Sequence, residues 1–261
     1  MHDIGPVQRL LITGAAGEVG TLLRGEIRGL AVNTRLLDLR QPDTVKDEEV
    51  ILGDVADLAV ARRAIAGCDA CVHLAAIPVE APFDQILHAN IQGTWALFEA
   101  ARLEGCDRVV FATTNHVTGF YPTTQRIGPS DPVRPDTYYG VSKVFGEALG
   151  SLYHDKFGLR VACIRIGTAI PRPVDERHLS TWLSPGDLGR LVTACLTSPD
   201  LGFAIVYGAS ANRRGWWDLE PGRKLGYVPQ DDAEVYANDV EPMAPYRFQG
   251  SDANTGPGST P

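Results

Sequence analysis

Short runs of consecutive apolar residues recur along the chain at 8–13, 35–38, 50–53, 70–74, 108–113 and 160–166. Apolar on neighbouring positions and rich in Val, Ile and Leu, they read as strands buried on both faces, as strands of a parallel sheet are. Between them the apolar positions take a helical period, at 18–28, 57–66, 83–103 and 138–157, and the last of these stops at Gly158, a C-cap signal. Strand and helix in alternation predict βαβ units and an α/β fold with a doubly wound parallel sheet. Past about residue 167 the rhythm breaks at Pro171, Pro173 and Pro185. Ser184-Pro185-Gly186-Asp187 then has the residues of a helix start: Ser as N-cap, Pro at the first position and an acid in the first turn. A further strand is expected near 203–207, then a loop containing Trp216 and Trp217, which are expected to cover the core. Gly250 to Pro261 is Gly, Ser, Thr and Pro with little to bury, and residues 251–261 are expected to form a disordered tail.

Composition narrows the functional classes. The chain has 261 residues, 44% hydrophobic and 21% charged, enough to bury one large core. The formal charge of -8, without a basic cluster, argues against nucleic acid or an anionic membrane as a partner. No apolar run is long enough to span a bilayer. The segment Met1 to Pro6 lacks the basic and apolar regions of a signal peptide, so a cytoplasmic location is expected. The five cysteines are scattered; Cys68-Asp69-Ala70-Cys71 has C-x-x-C spacing, but no second pair completes a zinc site. Buried packing residues are the better account, and no metal is expected.

The first strand breaks directly into Thr13-Gly14-Ala15-Ala16-Gly17-Glu18-Val19-Gly20. Glycines at intervals of three between a strand and a helix hold a pyrophosphate: the first permits the tight turn, the second close approach of backbone N–H groups, the third packing of helix on strand. The helix N-terminus then presents its positive end to the anion. An ordinary glycine-rich turn has the same spelling, but Asp38 ends the next strand about 20 residues on, where a carboxylate accepts from the adenosine ribose hydroxyls. A carboxylate there repels a 2′-phosphate and favours NAD, although Arg40 stands close by.

Tyr139 and Lys143 lie four positions apart at the start of the helix over 138–157 and share one face. An ammonium beside a phenol is expected to lower the phenol pKa and make Tyr139 a base near neutral pH. Upstream, the strand through Val109 runs into Thr113-Thr114, at the carboxyl end where ligands bind in such sheets. The two threonines point to opposite faces, and Thr114, nearer the strand end, is assigned to the reacting oxygen.

Together these features resemble the extended short-chain dehydrogenase/reductase family over residues 8 to about 230. The motifs are the glycine run at 13–20, Gly53-Asp54-Val55, His73-Leu74-Ala75-Ala76, Asn90 and the Tyr139/Lys143 pair. The resemblance implies a Rossmann-type fold with a dinucleotide-binding core over 1–167, completed by a substrate-binding region over 168–250. It implies NAD held by Gly14, Ala16, Gly17, Glu18, Val19, Asp38, Asp54, Val55, Leu74, Ala75, Ala76, Asn90, Tyr139 and Lys143. A homo-oligomer paired through the helices at 83–103 and 138–157 follows from the same source.

Finer resemblance lies in Thr114-Asn115-His116, Gly119-Phe120-Tyr121-Pro122, Arg177 to Trp182, and Gly208 to Asn212 with Trp216-Trp217. It points to the branch that oxidises C1 of a hexuronic acid with NAD to the aldarolactone. Carried over by position, Tyr139, Lys143 and Thr114 are catalytic, Thr114, Asn115 and His116 bind sugar hydroxyls, Thr168 assists, and Arg177 binds the carboxylate. A planar guanidinium is the best bidentate partner for that carboxylate. The chain departs from its relatives in having Thr where they have Ser at 114 and 168, and Pro78 where they offer a Ser to substrate. Two other readings share the sequence up to Lys143: a nucleotide-sugar epimerase or dehydratase, and a non-catalytic NAD-binding protein.

Overall fold

The computed structural model describes residues 7–45, 48–244 and 246–250. The expectations for Met1–Pro6 and for the tail over 251–261 lie outside the described residues. The elements follow one another as β1 (Val7–Thr13), α1 (Glu18–Glu26), β2 (Ala31–Asp38), β3 (Glu48–Leu52), α2 (Leu58–Ile65) and β4 (Ala70–His73). Then come α3 (Phe83–Ile86), a π-helical stretch (Leu87–Gln92), α4 (Gly93–Glu104), β5 (Arg108–Thr114), a 3₁₀ turn (Asn115–Thr118) and α5 (Tyr138–Phe157). The remainder is β6 (Arg160–Ile166), β7 (Thr168–Ala169), α6 (His178–Thr181), β8 (Trp182–Leu183), α7 (Pro185–Thr197), β9 (Phe203–Gly208) and α8 (Glu220–Lys224).

Seven strands form one parallel sheet in the order β3-β2-β1-β4-β5-β6-β9, and β7 pairs with β8 apart from it. The order reverses direction between β1 and β4, which opens a crevice at the carboxyl ends of those strands. Side-chain alternation along β1 divides the core. Leu10 and Ile12 join Leu23, Leu188 and Leu191 on the face covered by α1 and α7, while Leu11 joins Ala64, Leu97 and Leu149 under α2, α4 and α5. Cys68, Cys71, Cys106 and Cys163 pack in that second layer, and all five cysteines are free and buried. Among the described residues no group of His, Cys, Asp and Glu is placed to hold a metal ion, and no helix is long and apolar enough to cross a membrane.

Caps fall where the residue types place them. The Thr137 hydroxyl accepts from Gly140 N at 2.8 Å to start α5, and Gly158 ends it at φ 75°. Ser184 caps α7, accepting from Asp187 N at 2.9 Å. Helix α5 is also fixed from below: Arg165 on β6 makes a two-point ion pair with Glu147, at 2.9 and 2.8 Å, and Glu147 accepts from Thr113 at 3.0 Å.

Three segments differ from expectation. Strand β2 begins at Ala31, four residues before the apolar run, because its first half is only partly covered and carries Asn33 and Thr34. The helix expected over 83–103 is interrupted by the π-helical stretch, whose wider turn brings Asn90 inward. Residues 246–250 are strapped across the site end of the sheet: Thr123 N donates to Arg247 O, Gln249 N to Tyr121 O and Gly250 N to Gly119 O, each at 2.9 Å.

Candidate functional site

The crevice between β1 and β4 is lined by backbone drawn close. Gly14 sits at φ 68°, donates to Leu37 O at 2.9 Å, and a Cβ there would lie 2.7 Å from Ala75 N. Gly17 N returns to Gly14 O at 3.1 Å, and a Cβ on Gly20 would strike that same carbonyl. Gly14 and Gly20 are therefore required sterically, a Cβ on Gly17 would make only a tight 3.2 Å contact with Gly14 O, and the loop is a cradle that fits a pyrophosphate at the start of α1, where Glu18 and Val19 follow. Asp38 closes the other end of the cradle. Its Oδ2 accepts from Ala16 N at 2.9 Å and its Oδ1 from Arg40 N at 3.0 Å, which fixes the carboxylate while lone pairs remain for diol hydroxyls.

The floor continues through Leu74, Ala75 and Ala76, none fully buried, with Ala75 N donating to the Thr13 hydroxyl at 3.2 Å. Beneath it, His73 is fully buried, its Nδ1 2.7 Å from that hydroxyl, and burial aided by the Lys143 charge drives its pKa down to about 3. Val55 is buried beside Gly93. Asp54 is half-exposed and lies 2.7 Å from His88 Nε2. Partial burial works against ionisation of Asp54, but the Ala56 N–H and His88 prevail and hold its pKa low. Asn90 uses its carboxamide within the protein: it accepts from Ile77 N at 2.8 Å and donates to Ile77 O at 3.1 Å and Ser142 Oγ at 3.0 Å. Ser142 in turn donates to Tyr139 O at 2.7 Å, so Asn90 ties the loop after β4 to the first turn of α5.

Tyr139 and Lys143 lie together on that turn, both buried. The Lys143 Nζ donates to Ala112 O at 2.8 Å and stands 4.7 Å from the Phe111 ring centroid and 5.7 Å from that of Tyr139. Thr114 lies beside the Tyr139 phenol, while the Thr113 hydroxyl is spent on Glu147, which separates the two threonines as their opposite faces require. The expected lowering of the phenol pKa is not met in the protein alone. Burial raises Tyr139 to about 12, partly opposed by the Thr114 hydroxyl, and burial also lowers Lys143 to about 7. Desolvation is the largest influence on both groups.

The far wall draws on five separate segments, around 115–116, 136, 166–168, 177–181 and 249. His116 Nδ1 faces the carboxylate of Asp136 at 2.9 and 3.0 Å, and its ring meets that of Tyr139 edge-on at 6.1 Å. With its amide oriented to satisfy both ends, Asn115 donates to Ile166 O at 3.2 Å and accepts from Arg177 Nη2 at 3.0 Å. That same Nη2 donates to Gln249 O at 2.7 Å. The Nε of Arg177 is buried with no hydrogen-bond partner among the described residues, and burial lowers the guanidinium pKa. Thr168 is 2.9 Å from the Thr181 hydroxyl, which donates to Arg177 O at 3.3 Å. Pro78 is exposed in the loop before α3.

Two residues of this wall were missed from sequence. Asp136 has no motif around it, only the position just before the Thr137 cap. Gln249 stands in a stretch with few apolar neighbours, yet its side chain is fully buried, accepting from Trp217 Nε1 at 2.8 Å and donating to Pro122 O at 3.1 Å and Gln125 O at 2.8 Å. Trp217 is buried and stacks on Tyr207 at 5.1 Å, a covering role as expected.

Known proteins resemble this chain in sequence and in fold. Residues 10–194 match the NAD dependent epimerase/dehydratase family. The chain is 46% identical to a uronate dehydrogenase of Agrobacterium fabrum, over 94% of this chain and 96% of that protein. It is 44% identical to a uronate dehydrogenase of Pseudomonas syringae pv. tomato, over 91% and 88%. A crystal structure of a mutant uronate dehydrogenase from Agrobacterium tumefaciens complexed with NAD superposes with a TM-score of 0.92 at 45% identity, covering 96% of this chain and 98% of the other.

Proposed function

The chain belongs to the NAD-dependent epimerase/dehydratase family, and from that premise we propose that it oxidises C1 of a hexuronic acid such as glucuronate or galacturonate to the aldarolactone. It is an NAD-dependent oxidoreductase. The observation that carries the substrate class is Arg177. Its buried guanidinium is joined through Asn115 to the run that bears Thr114, and its Nε is left to an acceptor from outside the described residues. A guanidinium so placed recognises a carboxylate at the far end of a sugar whose C1 lies at Tyr139.

Tyr139 takes the proton of the C1 hydroxyl, and Thr114, which lies beside the phenol, is placed to bond the same substrate oxygen. When bound, NAD supplies the hydride acceptor and a positive charge on its nicotinamide ring. Because burial alone raises the phenol to about 12, base action depends on positive charge brought close to it, and Lys143, itself lowered to about 7 by burial, is the protein's own contribution while it is protonated. Ala112 O keeps that ammonium in place. Asn115 and His116 hold sugar hydroxyls, and the pocket fixes C1 relative to the phenol, which is where much of the rate advantage arises. A pyranose oxidised with its ring closed gives a lactone directly. Asp38 selects NAD over its 2′-phosphorylated form. The same reading makes the protein a cytoplasmic homo-oligomer; its free cysteines suit a reducing compartment, and exposed Trp95, Val141 and Leu152 on α4 and α5 suit a subunit contact.

One assay tests it. Protein with NAD and free glucuronate or galacturonate is expected to produce NADH absorbance, and Arg177→Ala to lose that activity while binding NAD normally. Turnover of a nucleotide-linked sugar with none of a free uronate would overturn the reading.

A further inference from the structure

We infer that Asp136 is a positioning residue for this reaction, holding His116 as the Nδ1–H tautomer so that Nε2 is a hydrogen-bond acceptor for a substrate hydroxyl. The inference rests on the reading of His116 as a sugar-binding residue and deepens it.

Both oxygens of Asp136 converge on one ring nitrogen, at 2.9 and 3.0 Å. A carboxylate accepts only, so Nδ1 carries a proton, and in the neutral ring Nε2 keeps its lone pair. The Asp136 side chain is almost completely buried, that of His116 about a quarter exposed, so the carboxylate backs the ring from the protein side. Its placement is confined. A Cβ on Gly119 or on Gly250 would collide with the carboxylate, and these two glycines are themselves joined by Gly250 N to Gly119 O at 2.9 Å. The strap and the loop after β5 thus form a slot that accepts this side chain in one orientation.

The carboxylate is not required to hold the loop. Main-chain bonds do that: Gly119 N to His116 O at 3.3 Å, Arg134 N to Val117 O at 2.9 Å, Phe120 N to Arg134 O at 3.1 Å and Asp136 N to His116 O at 3.4 Å. Its distinct contribution is the orientation and proton of the imidazole. A ring without that partner turns freely about its side-chain bonds and exchanges tautomers, and the tautomer protonated on Nε2 offers a donor where the substrate hydroxyl brings its own hydrogen.

The test uses the full-length protein with NAD. Asp136→Asn keeps the shape of the side chain and lets it donate to Nδ1. It is expected to raise KM for the uronate about tenfold while NAD affinity and Tm stay near the parent values, since about 1.4 kcal/mol, one well-placed hydrogen bond, is a factor of ten. In a His116→Ala background the same substitution is expected to add nothing, because its effect passes through the ring. Nitrogen-15 chemical shifts of His116 in the unmodified protein are expected to show the proton on Nδ1, which decides the point even if Asp136→Asn does not fold. A proton on Nε2, or an equal loss from Asp136→Asn with and without His116, overturns the inference. If His116→Ala raises KM and Asp136→Asn does not, the inference alone fails; if His116→Ala leaves KM unchanged, the reading of His116 fails with it.

Discussion

The two halves of the site are made of different materials. The half proposed for the cofactor is backbone: a loop between β1 and α1 in which Gly14 and Gly20 remove the Cβ atoms that would obstruct it, closed by one carboxylate at Asp38. The substrate half is side chain, gathered from the loop after β5, the start of α5, the turn before α6 and the strap at 246–250. A backbone site tolerates no added atoms but is indifferent to most side-chain chemistry. A side-chain site depends on the identity of a few groups and on everything that aims them.

The sharpest way to divide the halves is Tyr139→Phe. Removing the hydroxyl is expected to lower kcat by 10³-fold or more, in the upper part of the range for an acid–base residue, while calorimetry finds NAD binding within a factor of about two. Loss of both together would mean that the halves are not separable. Next comes Gly14→Ala, a change of one methyl. At φ 68° and 2.7 Å from Ala75 N it is expected to cost roughly 2–4 kcal/mol, read as a lower Tm and weaker NAD binding. Third, Arg177→Lys keeps the charge and loses the fork; it is expected to raise KM for the uronate roughly 30-fold with NAD affinity unchanged. An arginine acting only as a diffuse charge would survive the exchange.

The fourth prediction concerns stability. The folded protein holds Lys143 at about 7, against an ordinary value of 10.5. Between those values the unfolded chain carries a proton that the folded chain does not, so this residue makes stability rise with pH from about 7 towards 10.5. Lys143→Met is expected to flatten that rise and to gain about 1 kcal/mol at pH 7 in denaturant unfolding, while turnover is lost. His73, held at about 3, acts in the same direction at lower pH: stability falls as pH drops from 6.5, because only the unfolded histidine takes up a proton there.

The same division explains what was legible in the sequence. The sheet, the caps at Ser184 and Gly158 and the glycine cradle are consequences of local sterics and periodicity, so they stand in the residue order itself. Thr114 was separable from Thr113 because strand alternation is a geometric rule, and Thr113 does turn to Glu147. The π-helical stretch was not legible, since its cause is the remote partner of Asn90 in Ser142 rather than any break in apolar spacing. Asp136 and Gln249 were missed for a related reason: each is polar, without periodicity, and gains meaning only from residues far along the chain. The rise of the Tyr139 phenol, against the expected lowering, was not legible because spacing reports which groups meet and not how dry their meeting place is.

The strap has a consequence for biogenesis. Every strand of the main sheet and the entire glycine cradle precede Gln249 in the order of synthesis. A growing polypeptide that has released β9 already holds its sheet and a seat for the dinucleotide, but the guanidinium of Arg177 lacks its carbonyl anchor until the ribosome has delivered residue 249. Along the path of translation, the cradle of β1 and α1 thus precedes the carbonyl that anchors Arg177 by nearly the whole main sheet.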